Sequence, residues 1–523
     1  MPNISVGKRA LLGRPCLTCQ QRKIKCDRGK PTCERCVKAG FKCDGYPVEP
    51  FVHVVPTPRN GQSNKITLKR VRNSNNNHTP IEEKPKRAQE KLQLKSLTEK
   101  INMAPENRTQ VLSYFLERYM PASMTSYRTF ETPSAWIKDL PNLLGRWEIL
   151  DTALTALCLA YIGDLHHDKT HLQESQRFYS SVLRKMGSLP LESIKSANEG
   201  VLATTMIMAM YELFHCTYRG LQGWMFHVKG ACRLLQLRGP PSQELPLNLS
   251  LYSRIRITAV WDAYGTRKAL FLAQPEWQGL SETPHDHLLD LLVFIPGLLE
   301  RSDNMTAAVN ESRGMNNVEL FSVDDLLGCW LAIHHRLTNW YSEFDAQESA
   351  GLFKIGPLEP NNHPYLEENP ELHAVFPQVV TFKDTYIAQI MLLYWFSQVI
   401  IHTATTKLYG IRENHRASIN AKFVSKNHKR VHNEDMEDAE KMGGYYATKI
   451  CQSIASLREG YGFQIAMVPL WAAQQFFDAS GDAEKFLWCQ EVLKGFGKVG
   501  GFVLAAALGI LTPKQYPGIT SSV

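Results

Sequence analysis

Residues 16–43 read CLTCQQRKIKCDRGKPTCERCVKAGFKC and contain six of the 12 cysteines of this 523-residue chain. The spacing Cys-x2-Cys-x6-Cys occurs twice in this stretch, with an offset of 17 residues between the two copies. The cysteines are Cys16, Cys19 and Cys26 in the first half and Cys33, Cys36 and Cys43 in the second. Met1 to Gly13 lacks the apolar core of a secretory signal. We therefore expect an intracellular chain whose clustered thiols are metal ligands rather than disulfides.

The number of cysteines limits the metal centre that they can form. A structural zinc ion takes four ligands in a tetrahedron. Two ions need eight ligand contacts, so six thiolates suffice if two of them bridge, and the repeat nominates Cys16 and Cys33 as the bridging ligands. The sequence therefore predicts two zinc ions per chain, one bound by Cys16, Cys19, Cys26 and Cys33 and the other by Cys33, Cys36, Cys43 and Cys16. The alternatives are disulfides, or one zinc ion with two spare thiols.

Charge is distributed unevenly along the chain. The net charge is +8, but residues 1–100 hold 22 basic and 8 acidic residues, whereas the remainder holds 37 basic and 43 acidic residues. Such a basic segment indicates nucleic acid or an anionic surface as its partner. No amphipathic helix with an apolar face accompanies this charge, and apolar runs such as Ile390 to Phe396 fall short of the ~20 residues of a membrane-spanning helix. We therefore expect a soluble protein that binds nucleic acid and no membrane.

The cysteine segment resembles the DNA-binding domain of fungal binuclear zinc-cluster transcription factors. The resemblance rests on Pro15 to Asp27, Lys30 to Cys36 and Gly40 to Cys43. It implies that a short helix of the first half enters the major groove of double-stranded DNA and that Lys23 reads a CGG triplet, with Arg22 beside it as a second base contact. The chemistry agrees, because lysine and arginine contacts to guanine O6 and N7 are the commonest base-specific contacts in the major groove.

The same resemblance assigns phosphate contacts to Arg14, Gln20, Lys25 and Arg28. The position of Gln20 is usually an arginine in that family, so one charged contact is reduced here to a neutral hydrogen bond. For each of these side chains the alternative is a solvated basic surface. We expect residues 1–46 to form the DNA-binding domain, in which phosphate contacts position the protein and base contacts give specificity.

Residues 47–105 have the composition of a flexible basic linker, with prolines, an asparagine run and scattered charge. Basic clusters at Lys69 to Arg72 and Lys84 to Arg87 fit nuclear import signals, and the alternative is ordinary linker charge. Only three positions between Leu94 and Ile101 follow heptad spacing, which is too few for a dimerising coiled coil. Any homodimer is therefore expected to form through the domain that follows.

Residues 106–515 predict an all-α domain of roughly a dozen helices, because apolar residues recur at intervals of three and four and alternating strands are scarce. Helix breaks are expected at Gly239-Pro240-Pro241 and at Pro284. The polar stretches are typical of surface loops. They are Arg301 to Val318, Ala346 to His373 and Arg412 to Asp435.

Four stretches of this domain resemble the second family of fungal-specific transcription-factor domains. They are Leu154 to Gly163, Tyr211 to Phe214, Trp224 to Pro240 and Phe271 to Trp277. The resemblance implies a regulatory domain that follows a zinc cluster. Its motifs are interpreted as helix packing rather than as a catalytic site.

Three weaker patterns have structural interpretations. Gly495 to Gly500 fits G-x-G-x-x-G, but a helix rather than a strand is predicted before it, which argues against a dinucleotide site. His167 and His171 are four residues apart without a third ligand nearby, so they are expected to be solvated. The six remaining cysteines are expected to be small core residues. They are Cys158, Cys216, Cys232, Cys329, Cys451 and Cys489.

Together these features predict a nuclear, sequence-specific regulator of RNA polymerase II genes, with a possible homodimer, possible co-regulator proteins and no enzymatic activity. One alternative is a zinc module for protein interaction, but modules of the ring type use histidine ligands, which residues 16–43 lack. The other is a small-molecule receptor or enzyme, which a deep apolar pocket with convergent polar groups would favour.

Overall fold

The structure is a computed structural model of the 523-residue chain, and it divides into two compact units, Met1–Arg87 and Ala88–Val523. The residues that it describes are 18–19, 22, 24, 26–27, 33–41, 43, 105–120, 135–189, 199–215, 221–241, 246–311, 317–359, 363, 365–366, 369–423, 434–457, 460–500 and 508. Apart from Pro105, which begins a helix, the linker lies outside these residues, as do the import signals and the heptad positions. The bounds 1–46, 47–105 and 106–515 remain predictions.

The first unit contains the helix α1 (Glu34–Lys38), and Thr18 and Cys19 are also helical. The described helices of the second unit are α2 (Pro105–Tyr119), α3 (Ala135–Lys138), α4 (Leu140–Leu143), α5 (Glu148–Leu165), α6 (Lys169–Gly187), α7 (Glu199–Phe214), α8 (Gln222–Arg238), α9 (Pro246–Thr266), α10 (Pro284–Leu292), α11 (Ile295–Glu311), α12 (Asn317–Gln347), α13 (Thr385–Phe423), α14 (Glu434–Ser453), α15 (Gly460–Ser480) and α16 (Ala483–Gly500). The strands β1 (Phe353–Pro357) and β2 (Gln378–Phe382) pair antiparallel, with Ile355 opposite Val380. The predicted architecture, a small cysteine module and a large all-α domain, is confirmed.

Several helix ends follow directly from the local sequence. Asp168 caps α6, since its carboxylate accepts hydrogen bonds from the backbone N–H groups of Thr170 and His171. Thr283 caps α10 in the same way, and Pro284 occupies the first helical position, where its missing N–H costs nothing. Gly239 ends α8 with a φ of +83°, a conformation that glycine adopts without strain. The predicted breaks at Gly239 and Pro284 are confirmed.

The buried apolar residues of the second unit form one continuous core, in which α7 and α13 are central helices. Near the start of the unit, α7 packs on both α5 and α8, and nearly every residue of α7 is buried. Farther along the chain, α13 packs on α12, α14 and α15. Thr385–Asn414 of α13 is long and apolar enough to cross a membrane by length and composition, but 89% of its most apolar stretch is buried inside the protein. α13 joins several short apolar runs into one long apolar helix. The length of each single run did not predict this helix.

Two of the loop predictions are wrong in part. Residues 301–311 continue α11, and residues 412–423 continue α13. Both segments are polar but contain neither proline nor glycine, so nothing in their sequence interrupts the helical hydrogen bonds. The remaining predicted loop, Ala346 to His373, contains β1 and the start of a 3-10 turn at Pro370–Ala374 in addition to loops.

The motif residues of the second unit form packed core, as the sequence predicts. Trp224 of α8 is 4% exposed, and the Glu212 side chain of α7 is fully buried. Glu212 accepts a hydrogen bond from the Tyr179 hydroxyl of α6, which also lies 2.8 Å from Nε2 of His227. A Cβ atom at Gly223 would collide with the Glu212 carboxylate, so a larger residue there would displace this buried, hydrogen-bonded side chain.

Candidate metal centre and nucleic-acid interface

The described cysteines of the first unit converge into two adjoining groups. The Sγ atoms of Cys19, Cys26 and Cys33 lie within 4.8 Å of one another, as do those of Cys33, Cys36 and Cys43. Cys33 is therefore common to both groups. The Cys19 sulfur lies 3.6 Å from that of Cys33 and 3.7 Å from that of Cys36.

This donor set fits zinc. With Zn–S bonds of about 2.3 Å, a tetrahedral ion places its ligand sulfurs about 3.8 Å apart. The separation of 3.6 Å between the sulfurs of Cys19 and Cys33, which share one predicted site, is close to this value. Cys19, Cys33 and Cys36 are fully buried and Cys26 is nearly so, which limits solvent access to the sulfurs. Cys16, the other predicted bridging ligand, lies outside the described residues.

The 17-residue repeat is visible in the backbone. The N–H of Ile24 donates to the carbonyl of Cys19 at 3.1 Å, and the N–H of Phe41, 17 residues later, donates to the carbonyl of Cys36 at 3.0 Å. Each bond closes a turn after the second cysteine of its half. The repeat of the cysteine spacing therefore extends to the backbone hydrogen bonds at these positions.

Asp27 connects the first half to the helix of the second. Its two carboxylate oxygens accept hydrogen bonds from the backbone N–H groups of Glu34 at 2.9 Å and Arg35 at 3.0 Å. The Cys33 sulfur accepts a third, from the N–H of Cys36 at 3.4 Å. The first N–H groups of a helix have no partner within the helix, so these acceptors fix the start of α1. Asp27 thereby holds Cys33 and Cys36 in register with Cys26.

The basic side chains of the two halves differ in their partners. Lys38 of α1 pairs with Glu34 at 2.9 Å, and this hydrogen bond and charge raise the pKa of Lys38. Arg22 of the first half has no carboxylate within 4.0 Å among the described residues, and its guanidinium lies 3.7 Å from the centre of the Phe41 ring. Such stacking orders an arginine without neutralising it. The first half thus presents an oriented cation at the surface.

Of the predicted DNA contacts, Arg22 is described and is exposed. Lys23, Arg14, Gln20, Lys25 and Arg28 lie outside the described residues, so their roles remain predictions. Sequence reasoning missed the roles of Asp27 and Phe41. The 17-residue repeat indicates Phe41, because Phe41 occupies the position equivalent to Ile24. The position of Asp27 directly after Cys26 indicates a capping residue.

The structure agrees only in part with the predictions for the weaker patterns. Gly495 to Gly500 lies inside α16, with Gly495 packed against Tyr365. His167 precedes α6 with a φ of +53°, and the ring of His171 binds Asp168 at 2.5 Å, so the two histidines do not form a pair. Among the remaining cysteines, three are buried and Cys232 and Cys329 are half-buried. Cys216 lies outside the described residues.

Two family models match the chain. Residues 14–50 match the fungal Zn(2)-Cys(6) binuclear cluster domain, and residues 110–338 match the fungal specific transcription factor domain. The two matches occur in the order that the resemblances of the sequence imply. The grouped cysteines are therefore those of a zinc-binding cluster.

Curated relatives match short parts of the chain. An uncharacterised protein of Emericella nidulans is 35% identical over 133 residues, which are 25% of this chain and 28% of that protein. The aspercryptin biosynthesis cluster-specific transcription regulator of the same fungus is 42% identical over 64 residues, 12% of this chain and 8% of the regulator. The transcriptional regulatory protein moc3 of Schizosaccharomyces pombe is 56% identical over 32 residues, 6% of each chain. No solved structure matches the chain.

Proposed function

We propose that this chain, which joins a fungal Zn(2)-Cys(6) binuclear cluster domain to a fungal specific transcription factor domain, is a sequence-specific DNA-binding regulator of transcription. It acts on RNA polymerase II genes in the nucleus and reads CGG-type half-sites through residues 1–46. The names of two relatives as transcription regulators support this proposal.

The observation that carries the proposal is the pair of cysteine groups that share Cys33. Six thiolates hold two zinc ions if Cys33 and its symmetry equivalent Cys16 bridge, with Cys19 and Cys26 completing one site and Cys36 and Cys43 the other. Bound zinc supplies the folding free energy that a module of this size cannot obtain from an apolar core.

The side chains between Cys19 and Cys26 read the DNA in this proposal. Lys23 and Arg22 contact guanine edges in the major groove, and Arg14, Gln20, Lys25 and Arg28 contact phosphates. The stacking of Arg22 on Phe41 supports an ordered basic surface on this half. The helical domain is regulatory and binds a second copy of the chain or co-regulator proteins.

The proposal is tested by comparing two lysine variants in binding to duplexes with and without a CGG triplet. Lys23→Ala is expected to cost on the order of 1–3 kcal/mol on the CGG duplex and to remove base preference at that triplet. Lys25→Ala is expected to weaken binding to all duplexes alike and to lower the salt dependence by about one phosphate contact. Full discrimination by Lys23→Ala would show that the proposed docking is wrong.

A further inference from the structure

A second feature of the molecule lies in the helical unit, beyond the segment that the family model matches. A cleft of about 540 Å³ opens between α14, the end of α15, the start of α16 and β2. We call it the lysine cleft, and its polar lining includes Gln378, Lys441, Tyr445, Lys449, Gln452 and Lys485. Nothing in the proposed DNA-binding function uses these side chains.

Lys449 is the unusual member of this lining. The residue is only 8% exposed, and no aspartate or glutamate of the described chain lies within ion-pair distance of its Nζ atom. Nζ lies 5.4 Å from the centre of the Tyr445 ring and 3.5 Å from the Gln452 side-chain oxygen, which is a long hydrogen bond. Burial lowers the pKa of Lys449, because the ammonium loses hydration without gaining a counter-ion.

The neighbouring charged groups do not supply that counter-ion. Asp482 binds Lys485 through both the backbone N–H at 3.1 Å and Nζ at 2.6 Å, so its carboxylate is already engaged. Glu440 lines the cleft but is exposed to solvent. Gln452 donates from its amide nitrogen to Gln378 at 3.3 Å, which leaves its oxygen directed at Lys449.

Lys449 is largely buried but lines the cleft, so its ammonium is partly desolvated, and removing a cation from water without an anionic partner is destabilising. A small anion in the cleft would remove this cost, since it would meet the ammonium of Lys449 from the open side. Lys441 lies at the exposed part of the same lining, and Tyr445 and Thr448 present hydroxyl groups there. Phe476 and Phe477 add apolar surface.

From this arrangement we propose that the lysine cleft binds a small organic anion, with a carboxylate or phosphate group on Lys449 and an apolar part against the phenylalanines. The volume of the cleft lies within the usual range for small-molecule sites. Lys449 is the binding residue and Gln452 positions it. The site is independent of the DNA-binding function, because its lining belongs entirely to the helical unit.

The test measures thermal unfolding of the full-length protein in potassium phosphate, sodium citrate and poly-glutamate, each compared with sodium chloride at equal ionic strength. Phosphate or citrate is expected to raise the melting temperature saturably, and the more effective of the two identifies the anionic group. Lys449→Met is expected to raise at least tenfold the anion concentration that gives half of the maximal rise in melting temperature. Lys449→Arg is expected to reverse part of this increase. Lys354→Met, which removes an exposed lysine of β1, is the matched control and is expected to respond like the wild type.

The variants also give a result that does not depend on the choice of anion. Without added anion, Lys449→Met is expected to raise the melting temperature, because it keeps the apolar stem and removes a partly desolvated cation that has no counter-ion among the described residues. A lower melting temperature would show that Lys449 is structurally satisfied and would overturn the proposal. Equal responses of wild type and Lys449→Met, no response beyond sodium chloride, or a response to poly-glutamate alone would overturn it as well.

Discussion

At the scale of single residues, the stacking of Arg22 on Phe41 is a contact between the two halves of the cysteine module. Arg22 belongs to the half that is proposed to read DNA, whereas Phe41 belongs to the other half, and the guanidinium lies 3.7 Å from the ring centre. A flexible arginine loses rotamer entropy when it binds a base. Stacking on the Phe41 ring reduces that loss before DNA arrives, so Phe41 is expected to act through Arg22.

This expectation is tested by a double-mutant cycle on binding to a CGG duplex. Phe41→Leu should weaken binding several-fold when Arg22 is present, because a cation–π contact at an exposed site contributes about 0.5–1 kcal/mol. In the Arg22→Ala background the same change should have no effect. Equal losses in both backgrounds would mean that Phe41 acts independently of Arg22.

At the scale of elements, the first unit depends on contacts that cross between its halves. Asp27 fixes the start of α1, and Cys33 is common to both sulfur groups. If Cys33 bridges two zinc ions, losing its thiolate removes a ligand from both sites at once. The halves should then lose metal together rather than one at a time.

The zinc content of the full-length protein, measured by elemental analysis, tests this coupling. The wild type is expected to contain two zinc ions per chain, and Cys33→Ser is expected to lose both, because the remaining ligands complete neither site. Cys329→Ser, which changes a half-buried cysteine of α12, is the control and should retain two. One zinc ion in the wild type, or one retained by Cys33→Ser, would contradict the shared ligand.

Individual helices and turns show where sequence patterns predict the structure and where they do not. The cysteine repeat reappears in the backbone as equivalent turns after Cys19 and Cys36, because ligand spacing and backbone geometry are tied together in so short a segment. Gly239 marked the end of α8, since a positive φ strongly favours glycine. Polar composition was a poor guide at residues 301–311 and 412–423, where helices continue through polar sequence. The lysine cleft was not predictable, because Lys449 and Gln378 come from elements far apart in the chain.

At the scale of the whole molecule, the problem is how so short a readout selects a gene. If the module reads a CGG triplet as proposed, that triplet recurs throughout any genome, and one small module has modest affinity. A second DNA contact is therefore needed, and linking two modules raises the effective concentration of each at its half-site. The net charge of +14 over residues 1–100 promotes binding to any DNA, so pairing must add the specificity.

We expect this pairing to come from the helical domain, because the segment between the domains lacks the three or four heptads of a coiled coil. A linker with the composition of residues 47–105 would then let two modules reach half-sites at loosely constrained spacing. Light scattering should find a dimer for residues 101–523 and a monomer for residues 1–105. A monomeric helical fragment beside a dimeric N-terminal fragment would reverse this assignment. Two monomers would instead favour a partner protein as the source of the second contact, and full-length protein would then bind paired and single CGG sites with similar affinity.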